Sequence, residues 1–287
     1  MPIFSVNQLT TMQWTLEEDV LFYCDNGFRA IGLSLNKVES FGREKSKELI
    51  HDLGMEVSSL GSIGFHNDIA GTTLDDQIDE AKDAVVVAAE LAAHCLILHT
   101  GGIAGHLKKN RFRLISTVLD ELLPFAEDHG VRLAIEPLSA EPSSGKTFSH
   151  DWEDVIQIID RFRSKQLGIN LDIFHCGFKA LTHFGPRFAR FVFLLQICDY
   201  FDKPRISRHR SGSVHFTRER CPFGVGNFDI NDFQRFISQD EFRGIIEFEQ
   251  FGESFDSIPY ASTIQNLANE AVRFSHQDVS KLNPLKV

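Results

Sequence analysis

The chain has 287 residues, 43% of them hydrophobic and 24% charged, proportions that suit one large soluble globular domain. A net charge of −11 weighs against nonspecific binding to nucleic acid or anionic membranes. Five scattered cysteines without a CxxC pair suit a reducing compartment. No run approaches the ~18 apolar residues of a membrane span, and MPIFSVNQLT lacks the basic-then-apolar order of a secretory leader, so a cytoplasmic location is expected.

In chain order, short β-like runs alternate with helical patterns. The first run, IFSVNQ (3–8), is followed by NQLTTMQW, which has no glycine, and by a capping-box pattern, Thr15-x-x-Glu18. Then come FRAIGLSL (28–35) and MEVSSL (55–60), with His66 and a second box, Thr73-x-x-Asp76, beyond. CLILHTGG (95–102) carries His99 near its end, before two glycines that let backbone approach a ligand. VRLAIEP (131–137) ends on Glu136, beside a strand-breaking proline. Trp152, Val155, Ile156, Ile159 and Phe162 then recur at helical spacing. LGINLDIF (167–174) places Asp172 at a strand end and His175 at the start of the next loop, and FVFLLQIC (191–198) carries Gln196. Residues 199–228 read as the longest irregular stretch, rich in arginine: Arg205, Arg208, Arg210, Arg218 and Arg220. A helical stripe at Ile230, Phe233 and Ile237 leads to the eighth run, FRGIIEFE (242–249). With 26 phenylalanines against three tyrosines and two tryptophans, a Phe-rich core is expected.

Eight alternating units predict α/β architecture, a single (β/α)8 TIM barrel over residues 1–287. An open doubly wound sheet would show a Gly-rich loop after its first strand, and none is present. Glu136, Asp172, Gln196 and Glu249 stand at the carboxyl ends of strands five to eight, where a barrel gathers its functional groups. A single strand-end acid more often caps a helix or pairs with a lysine, and a single histidine such as His99 or His66 is more often structural, whereas a lone buried amide such as Gln196 is costly unless its hydrogen bonds are met. Three acids and an amide at one mouth instead point to an oxygen-rich divalent-cation site. A neutral carbonyl ligand suits Mn²⁺ or Mg²⁺, whereas Zn²⁺ favours imidazole. Glu247 and Glu249 share a strand face, so spacing alone leaves the ligand open between them. One or two of the loop arginines would reach over the mouth toward substrate.

IEPL, LD-x-FH, Q-x-x-D after strand seven, R-x-x-x-G-x-G-x-x-D from Arg220 to Asp229, and the closing E-x-E-x-F together resemble the xylose isomerase-like TIM-barrel superfamily. The resemblance is to its sugar phosphate isomerase/epimerase branch and covers nearly the whole chain; AIGLSLNKVESFG, with Lys37, is similar too. It implies one divalent ion, Mn²⁺ or Mg²⁺ first and Co²⁺ or Zn²⁺ as alternatives, held by Glu136, Asp172, Gln196 and Glu249. It favours Glu249 over Glu247, leaving Glu247 as a deeper partner. It further implies Glu136 and Glu249 as the proton-transferring pair, with His175, Arg220, His99 and Lys37 contacting substrate. The expected activity is isomerisation or epimerisation of a sugar-like hydroxy-ketone through an enediolate. Expected partners are that small molecule and, as an open option, a second copy of the chain. Many ketose epimerases carry histidine at the position of Gln196. Glutamine there is more similar to some 3-dehydroshikimate dehydratases, so a 3-dehydroshikimate or inosose dehydratase is the alternative, and a non-catalytic sugar-binding barrel the second. The DNA-repair endonuclease IV pattern, which matches at His99, Glu136, Asp172, His175 and Glu249, requires histidine at that same strand-seven position and a three-zinc cluster.

Overall fold

The structure, a computed structural model, describes residues 2–65, 72–101, 108–139, 152–177, 181, 186–206, 214–240 and 242–276. Eight parallel strands close into a barrel: β1 (Phe4–Asn7), β2 (Ala30–Ser34), β3 (Glu56–Gly64), β4 (Leu96–His99), β5 (Leu133–Ile135), β6 (Leu167–Asp172), β7 (Val192–Ile197) and, last in the chain, β10 (Ile245–Phe248). These are the eight apolar runs of the sequence. Helices cover the outside and barrel side chains fill the inside, so both strand faces are buried and the strands read as continuous hydrophobic stretches. The ring closes where Ser5 of β1 pairs with Glu247 of β10 and with Ala30 of β2.

The helices are α1 (Leu16–Asp25), α2 (Leu35–Phe41), α3 (Arg43–Asp52), α4 (Leu74–Glu90), α5 (Lys108–Asp128), α6 (Trp152–Phe162), α7 (Ile173–Cys176), α8 (Pro186–Ala189), α9 (Ile230–Ile237) and α10 (Tyr260–His276). Both capping boxes form: Thr15 with Glu18 starts α1 and Thr73 with Asp76 starts α4, each satisfying orphan amides at the helix entry. Val155, Ile156 and Ile159 bury one face of α6. None of the described helices is long and apolar enough to cross a membrane.

The stretch after β7 is ordered where irregular chain was expected. Residues Asp199–Ile206 (β8) and Val214–Cys221 (β9) pair as an antiparallel ribbon outside the barrel. Its charged sequence, interrupted by Pro204, carries no apolar period because the strands pair with each other outside the barrel, while the end nearest the barrel, with Asp199, Tyr200, Arg220 and Cys221, is buried. Buried Asp199 anchors the loop between β9 and α9. Its carboxylate accepts the amides of Gly224 and Gly226, each at 2.9 Å, and of Phe228 at 2.9 Å. A Cβ on Gly226 would collide with that carboxylate and with the Tyr200 carbonyl. Asp229 then caps α9 by accepting from Asn231 and Asp232. The glycines and both aspartates of the strand-seven-to-eight motif therefore build the loop.

The Phe-rich core is present: Phe223, Phe228 and Phe233 pack on Phe274 of α10, which also meets Phe4 and Phe248 of the barrel. His66, Arg208 and Arg210 lie outside the described residues.

Candidate metal centre and active site

Strand register brings the polar residues to one level. Asp172 pairs with Gln196, and Gln196 pairs with Glu247. Glu249 lies two residues further along, its amide donating to the Ile197 carbonyl at 3.1 Å, and Glu136 follows β5 with its amide on Leu98 at 3.0 Å. Both carboxyls therefore emerge where the parallel ladder ends. They open into a cavity of about 530 Å³ that is also lined by His99, His175, Gln196, Arg220, Phe174 and Phe251. Asp172 sits behind Arg220 and His175.

Arg220, at the end of β9, is buried among the acids. Its Nη2 donates to Asp172 Oδ2 at 3.0 Å and to Glu249 Oε2 at 2.5 Å. Phe174 and Phe251 stack against its plane, with centroids 3.9 and 4.2 Å from the guanidinium carbon. Its Nε is buried and has no hydrogen-bond partner among the described residues.

The carboxyls separate electrostatically. Burial alone pushes Glu136 up, but a 3.0 Å contact with His99 and the charges of His99, His175 and Arg220 hold it below the usual glutamate range. Burial raises Asp172 against the pull of Arg220 and His175. Glu249 is driven well above the ordinary value by burial, which Arg220 only partly offsets, and by neighbouring Asp172, Glu136 and Glu247. Burial lowers His175 against the pull of Asp172 and Glu136. Its tautomer follows from a fixed donor: the Ser139 amide points at Nδ1 from 3.2 Å, so Nδ1 accepts and Nε2 carries the hydrogen. Nε2 lies 3.6 Å from Asp172 Oδ2. His175 is thus a donor at the mouth.

Two residues stand differently from the expectation raised by the sequence. Lys37 was expected to contact substrate, but its ammonium is held by Asp19 at 2.7 Å and the Thr11 carbonyl at 2.9 Å, and it does not line the cavity. The physical reason is that buried Asp19 needs a countercharge. Gln196 lines the cavity, but its amide oxygen accepts from Asn170 Nδ2 at 2.7 Å, while Nε2 donates to Glu247 at 2.9 Å and Glu249 at 3.4 Å. With two carboxylates before it, the NH₂ end faces them, and ligation through oxygen requires the amide to turn.

Glu247 is the deeper partner. It is fully buried and accepts from Ser5, Asn7, Ser58, Ser59 and Gln196. Residue-by-residue reading of the sequence missed Asn170, Ser139, Phe174 and Phe251. Phe174 and Phe251 stand inside the LD-x-FH and E-x-E-x-F motifs but drew no role there, and each of the four matters through the neighbour it meets in space.

The arrangement fits a divalent cation. Three buried carboxyls, Glu136, Asp172 and Glu249, gather around one guanidinium, an excess of negative charge that burial makes costly. Oxygen atoms of Glu136 and Asp172 lie within 4.8 Å of each other and of a ring nitrogen of His175, a compact cluster in which the two carboxylates can meet one ion.

No curated protein matches the sequence. Among solved structures, a protein from Sinorhizobium meliloti 1021 superposes with a TM-score of 0.79 at 23% identity, covering 94% of this chain and 97% of that one. The IolI protein, solved with a zinc atom, gives 0.77 at 18% identity over 99% and 100% of the two chains. The 3-keto-D-glucoside 4-epimerase of E. coli gives 0.73 at 14% identity over 95% and 100%. At such identities these likenesses establish the fold. The model of the xylose isomerase-like TIM barrel family matches residues 23–275, nearly the whole barrel, and the chain belongs to that family.

Proposed function

We propose that the protein is a divalent-metal-dependent isomerase or epimerase of a small hydroxy-ketone. The observation that carries this reading is the meeting of Glu136, Glu249 and Asp172 in one buried mouth with a single guanidinium. Glu136 and Asp172 would hold the ion, joined by Glu249 when Arg220 releases it and by Gln196 when its amide turns. Mn²⁺ or Mg²⁺ suits these oxygen donors. When bound, the ion polarises the ketone and adjacent hydroxyl oxygens and acidifies the C–H between them.

The chain's own groups supply the proton transfers. Glu136, kept ionised beside His99, takes the substrate proton. Glu249 returns one from the other face, so two carboxyls whose surroundings shift them in opposite directions share the acid and base roles. Nε2–H of His175 and the guanidinium of Arg220, both lining the cavity, orient substrate oxygens. Phe174 and Phe251 flank Arg220 and keep water from its charge.

The test is NMR-monitored deuterium exchange in D₂O with Mn²⁺, over ketoses, inososes and dehydroshikimate. Deuterium should enter the carbon next to the carbonyl without loss of water. Glu136→Gln should lower turnover at least about a hundredfold while leaving the circular dichroism spectrum unchanged; full turnover in that variant would sink the role of Glu136. A second reading, dehydration of the same class of compound, is favoured by Gln196 in place of histidine. It predicts loss of a β-hydroxyl, seen as a new conjugated chromophore.

A further inference from the structure

The cavity is two-faced. The acids, His99, His175 and Arg220 gather on the side of β4 to β10, whereas the described lining on the side of β1 to β4 carries no charged group and sets Leu9, Leu35, Ile63 and Ile97 among the neutral polar residues Asn7, Ser34, Asn36 and Ser62. The polar residues of β1, β3 and the first turn are plentiful, but they are spent inside the protein. Ser5, Ser58, Ser59 and the Asn7 NH₂ all donate to Glu247, and the Asn7 oxygen accepts the Leu9 amide. Gln8 gives its NH₂ to Asp19 and its oxygen to the Ser34 amide, and Lys37 is bound to Asp19. Among the described residues, this wall offers a ligand only half-buried Ser34 and the exposed rim residues Asn36 and Ser62 as polar side chains. Leu9 adds apolar surface at the entrance and is 40% exposed among the described residues.

An open-chain ketose is a poor match for that wall. Its hydroxyls beyond the reacting pair would leave water for hydrocarbon, and each unmet hydrogen bond weakens binding. A ring or chain of CH₂ groups instead gains with each group buried. We infer that the substrate is a hydroxy-ketone with a polar reacting head and a hydrocarbon body, an alicyclic or aryl-bearing ketol, whose body lies on Leu9, Leu35, Ile63 and Ile97. This rests on the metal-dependent hydroxy-ketone reading and narrows it to a substrate class.

The experiment is calorimetric titration of the Mn²⁺-loaded full chain with three probes: hydroxyacetone, 2-hydroxycyclohexanone and ribulose. The cyclic ketol should bind at least about tenfold tighter than hydroxyacetone, from its added methylenes, and ribulose no tighter than hydroxyacetone. Leu9→Ser and Leu35→Ser should each remove several-fold of the cyclic ketol's advantage while leaving Mn²⁺ affinity unchanged. Ribulose binding as tightly as the cyclic ketol, or neither serine variant narrowing the gap, overturns the substrate class and leaves the metal reading standing. A separate Mn²⁺ titration of the wild type covers that reading: absence of Mn²⁺ binding overturns it, and this inference with it.

Discussion

Arg220 shows how one side chain sets the state of a site. It contacts Asp172 and Glu249 while two phenylalanine rings hold its plane, so it supplies the positive charge that the acids need before an ion arrives. Arg220→Met keeps the packing volume and removes the charge. Breaking a buried ion pair from one side costs about 3–5 kcal/mol, so the metal-free variant should unfold at clearly lower urea concentration than wild type. Added Mn²⁺ should recover more stability in the variant than in wild type, since the ion no longer competes with a guanidinium. Equal midpoints without metal would show that the acids are not charged against Arg220. The sequence placed Arg220 at the mouth through a motif, but its position between two acids and two rings depends on where the ribbon returns to the barrel.

The ribbon and its anchor carry the lesson at the scale of elements. Barrel strands were legible as apolar runs because each is covered on both faces. β8 and β9 were not, because they pair with each other outside the barrel and their sequence is charged. Asp199 reads as part of a family motif, yet its work is to collect the Gly224, Gly226 and Phe228 amides and so set the start of α9. Asp199→Ala should leave those three amides without an acceptor, and amide hydrogen exchange should accelerate there while the barrel strands stay protected. Gly226→Ala should destabilise by about 1–3 kcal/mol, because the added methyl meets Asp199 and the Tyr200 carbonyl. Protection unchanged in the aspartate variant would mean that the loop is held by other contacts.

For the molecule as a whole, Glu247 is the interior tie. One carboxylate links β10 to β1 through Ser5 and Asn7, to β3 through Ser58 and Ser59, and to β7 through Gln196, reaching around half the ring. Glu247→Ala would strand those donors in the interior at about 1–3 kcal/mol for each left unsatisfied, and chemical denaturation should register it as a global loss of stability. A second buried group links folding to pH. Burial pushes Asp19 up to about 6 despite the charge of Lys37 and bonds from Thr11 and Gln8. Its unfolded value is about 3.9, so the folded chain binds the extra proton. The stability from that proton is full below about pH 4 and is lost as pH rises through about 6. Relative to Asp19→Asn, wild type should gain about 1 kcal/mol between pH 7 and pH 5, read from urea midpoints at both pH values; a gain in the opposite direction would mean that Lys37 outweighs burial.

What the sequence determined by itself was the barrel and the addresses of its chemistry. Strands buried on both faces are mostly apolar, so the polar residue at or next to the end of β6 and β7, or lying just past β5 and β10, stands out without any knowledge of the fold. What only the tertiary structure decided was how those groups are engaged. Lys37 answers Asp19 instead of the cavity, the oxygen of Gln196 is turned to Asn170, and polar residues of β1 and β3 point at Glu247, leaving the described lining of one cavity wall without a charged group. Each outcome depends on which charges and donors meet across strands far apart in the chain, and burial makes those meetings obligatory, since a polar group without water must find its partner inside the protein.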